Sequence, residues 1–146
     1  MKLVAAPDEP LVERRVFETW SISIPVTFET TFVEEDAYWH AYDRLRSVSL
    51  TSFLILGADG VVPVAELEAI LPPLDGDLVS AMPPGMTGRA VMGPSIQPAR
   101  ARSMLSGALV APQHLLLATI TADDLDWAQR VWCSIRIHPQ SRGWRH

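Results

Sequence analysis

A chain of 146 residues with a formal net charge of −5 and only 12 lysines and arginines is long enough to bury a real core. It is poorly suited to nucleic acid, whose phosphates demand concentrated positive charge. Hydrophobic residues at 48% and charged residues at 20% sit close to the globular average, which excludes wholesale disorder.

No apolar run approaches the roughly 18 residues of a membrane span, and the single cysteine cannot close an internal disulfide. The amino-terminal MKLVAAPDEPLVERR turns acidic too soon for a signal peptide. The expectation is a cytoplasmic domain with neither a membrane nor a nucleic-acid partner. One lysine against 11 arginines points to a GC-rich bacterial genome. Charge is uneven along the chain: residues 1–77 carry 14 acidic and 5 basic side chains, residues 78–146 carry 3 and 7.

Residues 1–14 read as a flexible, charged leader, 15–138 as a single α+β domain, and 139–146 as a C-terminal tail. Trp20, Ile22, Ile24, Val26 and Phe28 alternate with smaller or polar residues, the signature of a half-buried strand. Pro25 withdraws a ladder donor and places an edge or a bend there. After the acidic turn VEED, a hairpin is expected, with strands over 37–42 and 47–56 joined by a turn at 43–46. Val48, Leu50, Leu54 and Leu56 share one face of its second strand, and GADG at 57–60 closes it.

VPVAELEAIL reads as a short helix, with Pro63 in its first turn and Val64, Leu67, Ile70 and Leu71 at helical spacing. Pro72–Pro73 stops it. Residues 72–86 form a loop with four prolines, two glycines and two methionines; it reads either as a crossover between sheet edges or as a functional element. TGRAVMG is a strand, Arg100 and Arg102 sit in the loop after it, and SMLSGALVA and HLLLATIT pair about a turn at 112–113. Thr121–Ile137 reads as the closing helix, with Thr121 as N-cap and Asp124 completing a capping box. Leu125, Ala128, Val131, Trp132 and Ile135 share one arc, Trp127 lies at its margin, and Asp126, Gln129, Arg130, Cys133 and Arg136 lie opposite. The fold class is therefore α+β: an antiparallel sheet with one short crossover helix and a C-terminal helix packed on the sheet.

Chemistry is sparse. There is no phosphate-cradling glycine motif, no C-x-x-C, no H-E-x-x-H and no nucleophile elbow, so no catalytic residue, metal ligand or cofactor is assigned. Tyr38, His40 and Tyr42 point one way from a strand and form an aromatic row with polar tips, suited to an interface. Met82 and Met86 suit adaptable apolar contact. Cys133 lies three residues from both Arg130 and Arg136, which favours thiolate. It has no helix N-terminus and no base beside it, and so reads as a structural or interface cysteine.

WSISIP opening the domain and VWCSIR closing it resemble the Mog1/PsbP-like fold, and within it the DcrB-type bacterial members. In those, an early strand ends at a proline and the last helix ends in a serine–aromatic-or-aliphatic–arginine step, here Trp20, Ile22 and Pro25, and Ser134, Ile135 and Arg136. What the resemblance implies is an accessory protein-binding module with no shared catalytic residue. The expected function is accordingly a non-enzymatic adaptor or subunit, with another protein as partner and homo-oligomerisation compatible. Its contact residues are taken from Tyr38, His40, Tyr42, Met82, Met86, Arg130, Cys133 and Arg136. The alternative is a small-molecule-binding protein or small hydrolase with a pocket around His40 and the two tyrosines.

Overall fold

The computed structural model describes residues 9–55, 76–95, 101 and 103–138. The GADG turn, the helix over 63–71, the first residues of the 72–86 loop, Arg100, Arg102 and the 139–146 tail lie outside the described residues, as do residues 1–8.

Strands β1 (Leu11–Val16) and β2 (Trp20–Pro25) form a hairpin, and β10 (Arg136–Ile137) pairs on the other side of β2. The remaining strands make a seven-stranded sheet: β3 (Glu29–Val33), β4 (Tyr38–Tyr42), β5 (Ser47–Leu54), β6 (Asp77–Leu78), β7 (Thr87–Pro94), β8 (Ser103–Ala111) and β9 (His114–Ala122). Their order is β3-β4-β5-β9-β8-β7-β6, and every pair is antiparallel. A 3-10 turn over Glu34–Asp36 joins β3 to β4, and helix α1 (Leu125–Cys133) follows β9. The architecture is α+β and dominated by antiparallel sheet.

Directly paired residues share a face, so the register sorts the large sheet into two sides. Trp39, Ala41, Val48, Leu50, Ala90, Leu105, Leu109, Leu116, Ala118 and Ile120 belong to the inner side and are buried. They pack in one cluster with Trp20, Ile22 and Ile24 of β2 and with Ala128, Val131 and Trp132 of α1. The helix sits close because β8 carries a glycine. A Cβ at Gly107 would come within 2.5 Å of the Trp132 ring. The indole Nε1 of Trp132 then donates to the Ala81 carbonyl at 2.9 Å, tying the 76–86 segment to the same layer.

Several expectations are corrected at their boundaries. β1 begins at Leu11, inside the stretch read as a leader, because residues 11–16 pair along the whole of β2. Pro25 ends β2, and its carbonyl accepts from the Phe28 amide, so the chain turns where a strand to Phe28 was expected. Leu54 is 63% exposed, unlike Val48 and Leu50 on its side. Thr121 is not the N-cap: it is the penultimate residue of β9, its hydroxyl paired with that of Ser47. Asp124 caps instead, accepting from the amides of Asp126 and Trp127. Leu125 is accordingly outside the core, at 42% exposure. The helix stops at Cys133 because Arg136 and Ile137 leave it to pair with Ser21 and Trp20.

Arg46 holds the turn after β4 to the helix. Its guanidinium reaches Glu9 Oε1 and Asp43 Oδ2, both at 2.7 Å, and lies over the rings of Trp127 (4.7 Å) and Phe28 (5.2 Å).

Candidate functional site

β4 alternates Trp39 and Ala41 inward with Tyr38, His40 and Tyr42 outward, and the three outward side chains are half-buried. The rings run in a row: Tyr38 and His40 have centroids 6.2 Å apart, and His40 stacks on Tyr42 at 4.9 Å. On β5 their cross-strand neighbours are all hydroxyl-bearing, and on β3 they are Val33, Thr31 and Glu29. Thr31 and Ser49 lie opposite His40, Ser47 opposite Tyr42, and the Tyr38 hydroxyl meets that of Ser49 at 3.2 Å. The row expected from the sequence is therefore present, set in a hydroxyl-bearing face.

That face ends at β3, the edge strand, all five residues of which are exposed. Phe32 is 50% and Val33 39% exposed. An edge strand offers unpaired amides and carbonyls, and proteins usually blunt it with lysine, proline or a bulge. Here the sequence is ETTFV, with neither lysine nor proline; among the described residues the opposite edge is the two-residue β6.

β3 has a hollow at each end. At its carboxyl end a cleft of about 530 Å³ is lined by Arg15, Phe17, Glu18, Phe32, Glu34 and Trp39, with Val16 and Ala37 completing it. Phe32 and Trp39 are paired, so this cleft opens on the inner side of the sheet, beyond the reach of α1. The β1–β2 turn forms its other wall. Phe17 and Glu18 both hold positive φ (57° and 62°), which hairpin turns normally obtain from Asn-Gly. Arg15 steadies the turn by donating to the Glu18 carbonyl at 3.0 Å, and the Phe17 and Phe32 rings lie 5.6 Å apart.

At the amino end a shallower hollow of about 360 Å³ is lined by Thr27, Glu29, Tyr42, Asp43 and Arg44. Its Asp43 is occupied structurally: one oxygen accepts from the amides of Leu45 and Arg46, the other from the Arg46 guanidinium. Burial acts to raise the Asp43 pKa, but the Arg46 side chain and the turn amides prevail and hold it below 3.8. Neither hollow contains His40 or Cys133.

The other residues singled out lie elsewhere. Met82, Met86 and Cys133 are half-buried and pack against the main core, on the side of the sheet opposite the aromatic row. Alternation along β4 is the reason the row and the methionines cannot share one surface. The Cys133 thiol is pushed up by burial, against a weaker downward pull from Arg136, so the cationic neighbours do not make it a thiolate. Arg136 instead donates to the carbonyls of Cys133 (2.6 Å) and Ile135 (2.9 Å), satisfying the end of α1. Arg130 is exposed on α1.

One dyad outside the row brings a hydroxyl to an imidazole: His138 Nε2 lies 2.8 Å from Ser21 Oγ and 3.6 Å from Glu13. Ser21 is fully buried, so this contact anchors the chain after β10 and presents no nucleophile. Among the described residues, no group of three or more His, Cys, Asp or Glu is placed to hold a metal ion. No described helix is long and apolar enough to cross a membrane.

Sequence reasoning found the aromatic row but missed β3 and the cleft beside it. The only signal available was ETTFV itself, a β-prone run without proline or lysine. A scan against family models returns no match for this chain, and no curated protein matches it.

Proposed function

We propose that the chain is a non-enzymatic protein-binding accessory module that docks its partner along β3, with the Tyr38–His40–Tyr42 row as the adjoining contact surface. The observation that carries this reading is the edge that β3 forms among the described residues: five consecutive exposed strand residues, two of them large and apolar, on a sheet whose other described edge is the two-residue β6. Strand addition along such an edge gives affinity through main-chain hydrogen bonds and specificity through alternate side chains. The half-buried aromatics with polar tips next to it are the residue types favoured at interfaces. Membership of the Mog1/PsbP-like fold and a cytoplasmic site of action belong to the same proposal, since such domains serve as accessory binding modules.

The test is a photo-crosslinking residue at position 31, in the middle of β3, with one at the exposed Pro112 turn as control, both expressed in the native host. Expected is a discrete crosslinked protein from position 31 and none from position 112. The same product from both positions, or none from position 31, overturns the reading.

A further inference from the structure

We propose that the segment received by β3 is extended and basic, and that its side chain opposite Phe32 enters the cleft between Phe17, Phe32 and Trp39 as a lysine or arginine. This rests on the reading of β3 as the docking edge and adds the chemistry of the partner.

The register fixes where the side chains go. A residue paired directly with Phe32 shares its face and points inward, where the cleft lies. The residues on either side of it point outward, extending the line from Ser49 through His40 and Thr31. The docked strand therefore presents one side chain to the cleft and its neighbours to the hydroxyl face.

The cleft selects that side chain. Three aromatic rings supply apolar walls with electron-rich faces, and the two acidic residues lining the cleft are Glu18 and Glu34. The one lining cation, Arg15, already donates to the Glu18 carbonyl. Rings beside carboxylates suit a cation on an apolar stem: the stem lies along the rings and the charge meets their faces and the acids. The consecutive positive φ values at Phe17 and Glu18 place both residues in the wall. Bulky residues seldom hold that conformation, and such departures concentrate at ligand-binding sites.

The wider field agrees. Residues 29–36 contain Glu29, Glu34, Glu35 and Asp36, all exposed, and no basic residue. A second copy of this chain added along β3 would bring two such segments together, whereas a basic strand is attracted and steered. Charge thus favours a basic partner over self-pairing.

The test uses capped heptapeptides alternating Thr and Val about a central Lys, with twins carrying norleucine or Glu at the centre. Each is titrated into the full-length ¹⁵N-labelled chain, following the amides of Glu29–Val33 and the Trp39 indole. Expected is saturable movement of both sets by the Lys peptide, with the norleucine and Glu twins about tenfold or more weaker, as a partly desolvated cation over aromatic faces implies. Phe17→Ala, and separately the double change Glu18→Gln with Glu34→Gln, should reduce the Lys peptide to the level of norleucine. Equal movement of the β3 amides by all three peptides overturns the basic specificity while leaving the docking edge standing. No movement of the β3 amides by any peptide overturns the proposal. The docking edge itself then stands or falls on the position-31 crosslink.

Discussion

The two sides of β4 are held to different standards. Trp39 and Ala41 look into a layer where a single added methyl group has no room, because Trp132 lies on the bare backbone of Gly107. Tyr38, His40 and Tyr42, one residue away in each case, look onto serine and threonine hydroxyls and remain half-buried. The inner side is specified by shape, with close-packed contacts that fix where α1 and β2 sit. The outer side is specified by chemistry, with polar tips that tolerate replacement. Function is expected where shape is least demanding, and the open edge β3 lies where the two sides meet.

The largest effects are expected on the inner side. Trp132→Ala removes a fully buried indole and the hydrogen bond to Ala81, and should cost about 3–5 kcal/mol by urea denaturation. Gly107→Ala adds one methyl at the same contact and should cost about 1–3 kcal/mol through overpacking. If Gly107→Ala left the urea midpoint unchanged, the inner side would not be shape-limited, and the contrast drawn here would fail.

Below these comes the helix cap. Asp124→Ala strips the only side-chain acceptor reaching the first amides of α1, those of Asp126 and Trp127, among the described contacts. It should cost about 1 kcal/mol. Thr121→Val tests the rejected cap: it should leave helix content unchanged and act only through the lost pairing with Ser47.

Smaller again is an acid dependence at the Arg46 clamp. The folded Asp43 pKa lies below 3.8, so this carboxylate contributes stability in full above that value and loses it as pH falls through the folded pKa. Arg46 keeps its charge throughout, its own pKa being raised further by Glu9 and Asp43. The pair is partly exposed and screened, which keeps the contribution to about half a kcal/mol. Arg46→Ala should flatten the acid limb of the stability profile, where falling pH protonates Asp43. A profile as steep as wild type would mean that other carboxylates carry it.

What the sequence makes legible follows from burial contrast. SMLSGALVA and HLLLATIT are long apolar runs with a polar break, and they lie within β8 and β9 to the residue or one short of it. The turn at 43–46 is marked by Asp43, which bonds the amides two and three residues on. The aromatic row is legible because residues 38–42 alternate strictly. β3 is not, since ETTFV is exposed at every position and carries no inward–outward contrast. The cleft beside it depends on a turn at Phe17–Glu18, where neither residue announces a positive φ. The closing helix is shorter at both ends than its spacing predicts because the flanking residues are claimed by other strands: Thr121 by β5, Arg136 and Ile137 by β2. Such claims are tertiary, and local spacing does not record them.

The smallest effect on stability is expected at the edge strand. Phe32→Ser changes a half-exposed residue on an edge strand, and its outer half is already in water. Substitutions at such positions usually stay within about 0.5 kcal/mol, and the urea midpoint should move by no more than that allows. The same change removes a ring from the cleft and one of the two apolar groups from the edge, so the position-31 crosslink and the Lys-peptide shifts should both be lost. Trp132→Ala has the opposite signature, a large stability loss at a residue that touches neither the edge nor the cleft. If Phe32→Ser left binding intact, the edge would be ordinary solvated surface, and the functional surface would have to lie on the Tyr38–Tyr42 row alone. If it lowered stability as far as Gly107→Ala does, β3 would belong to the shape-limited layer, and its exposure would not mark a docking site.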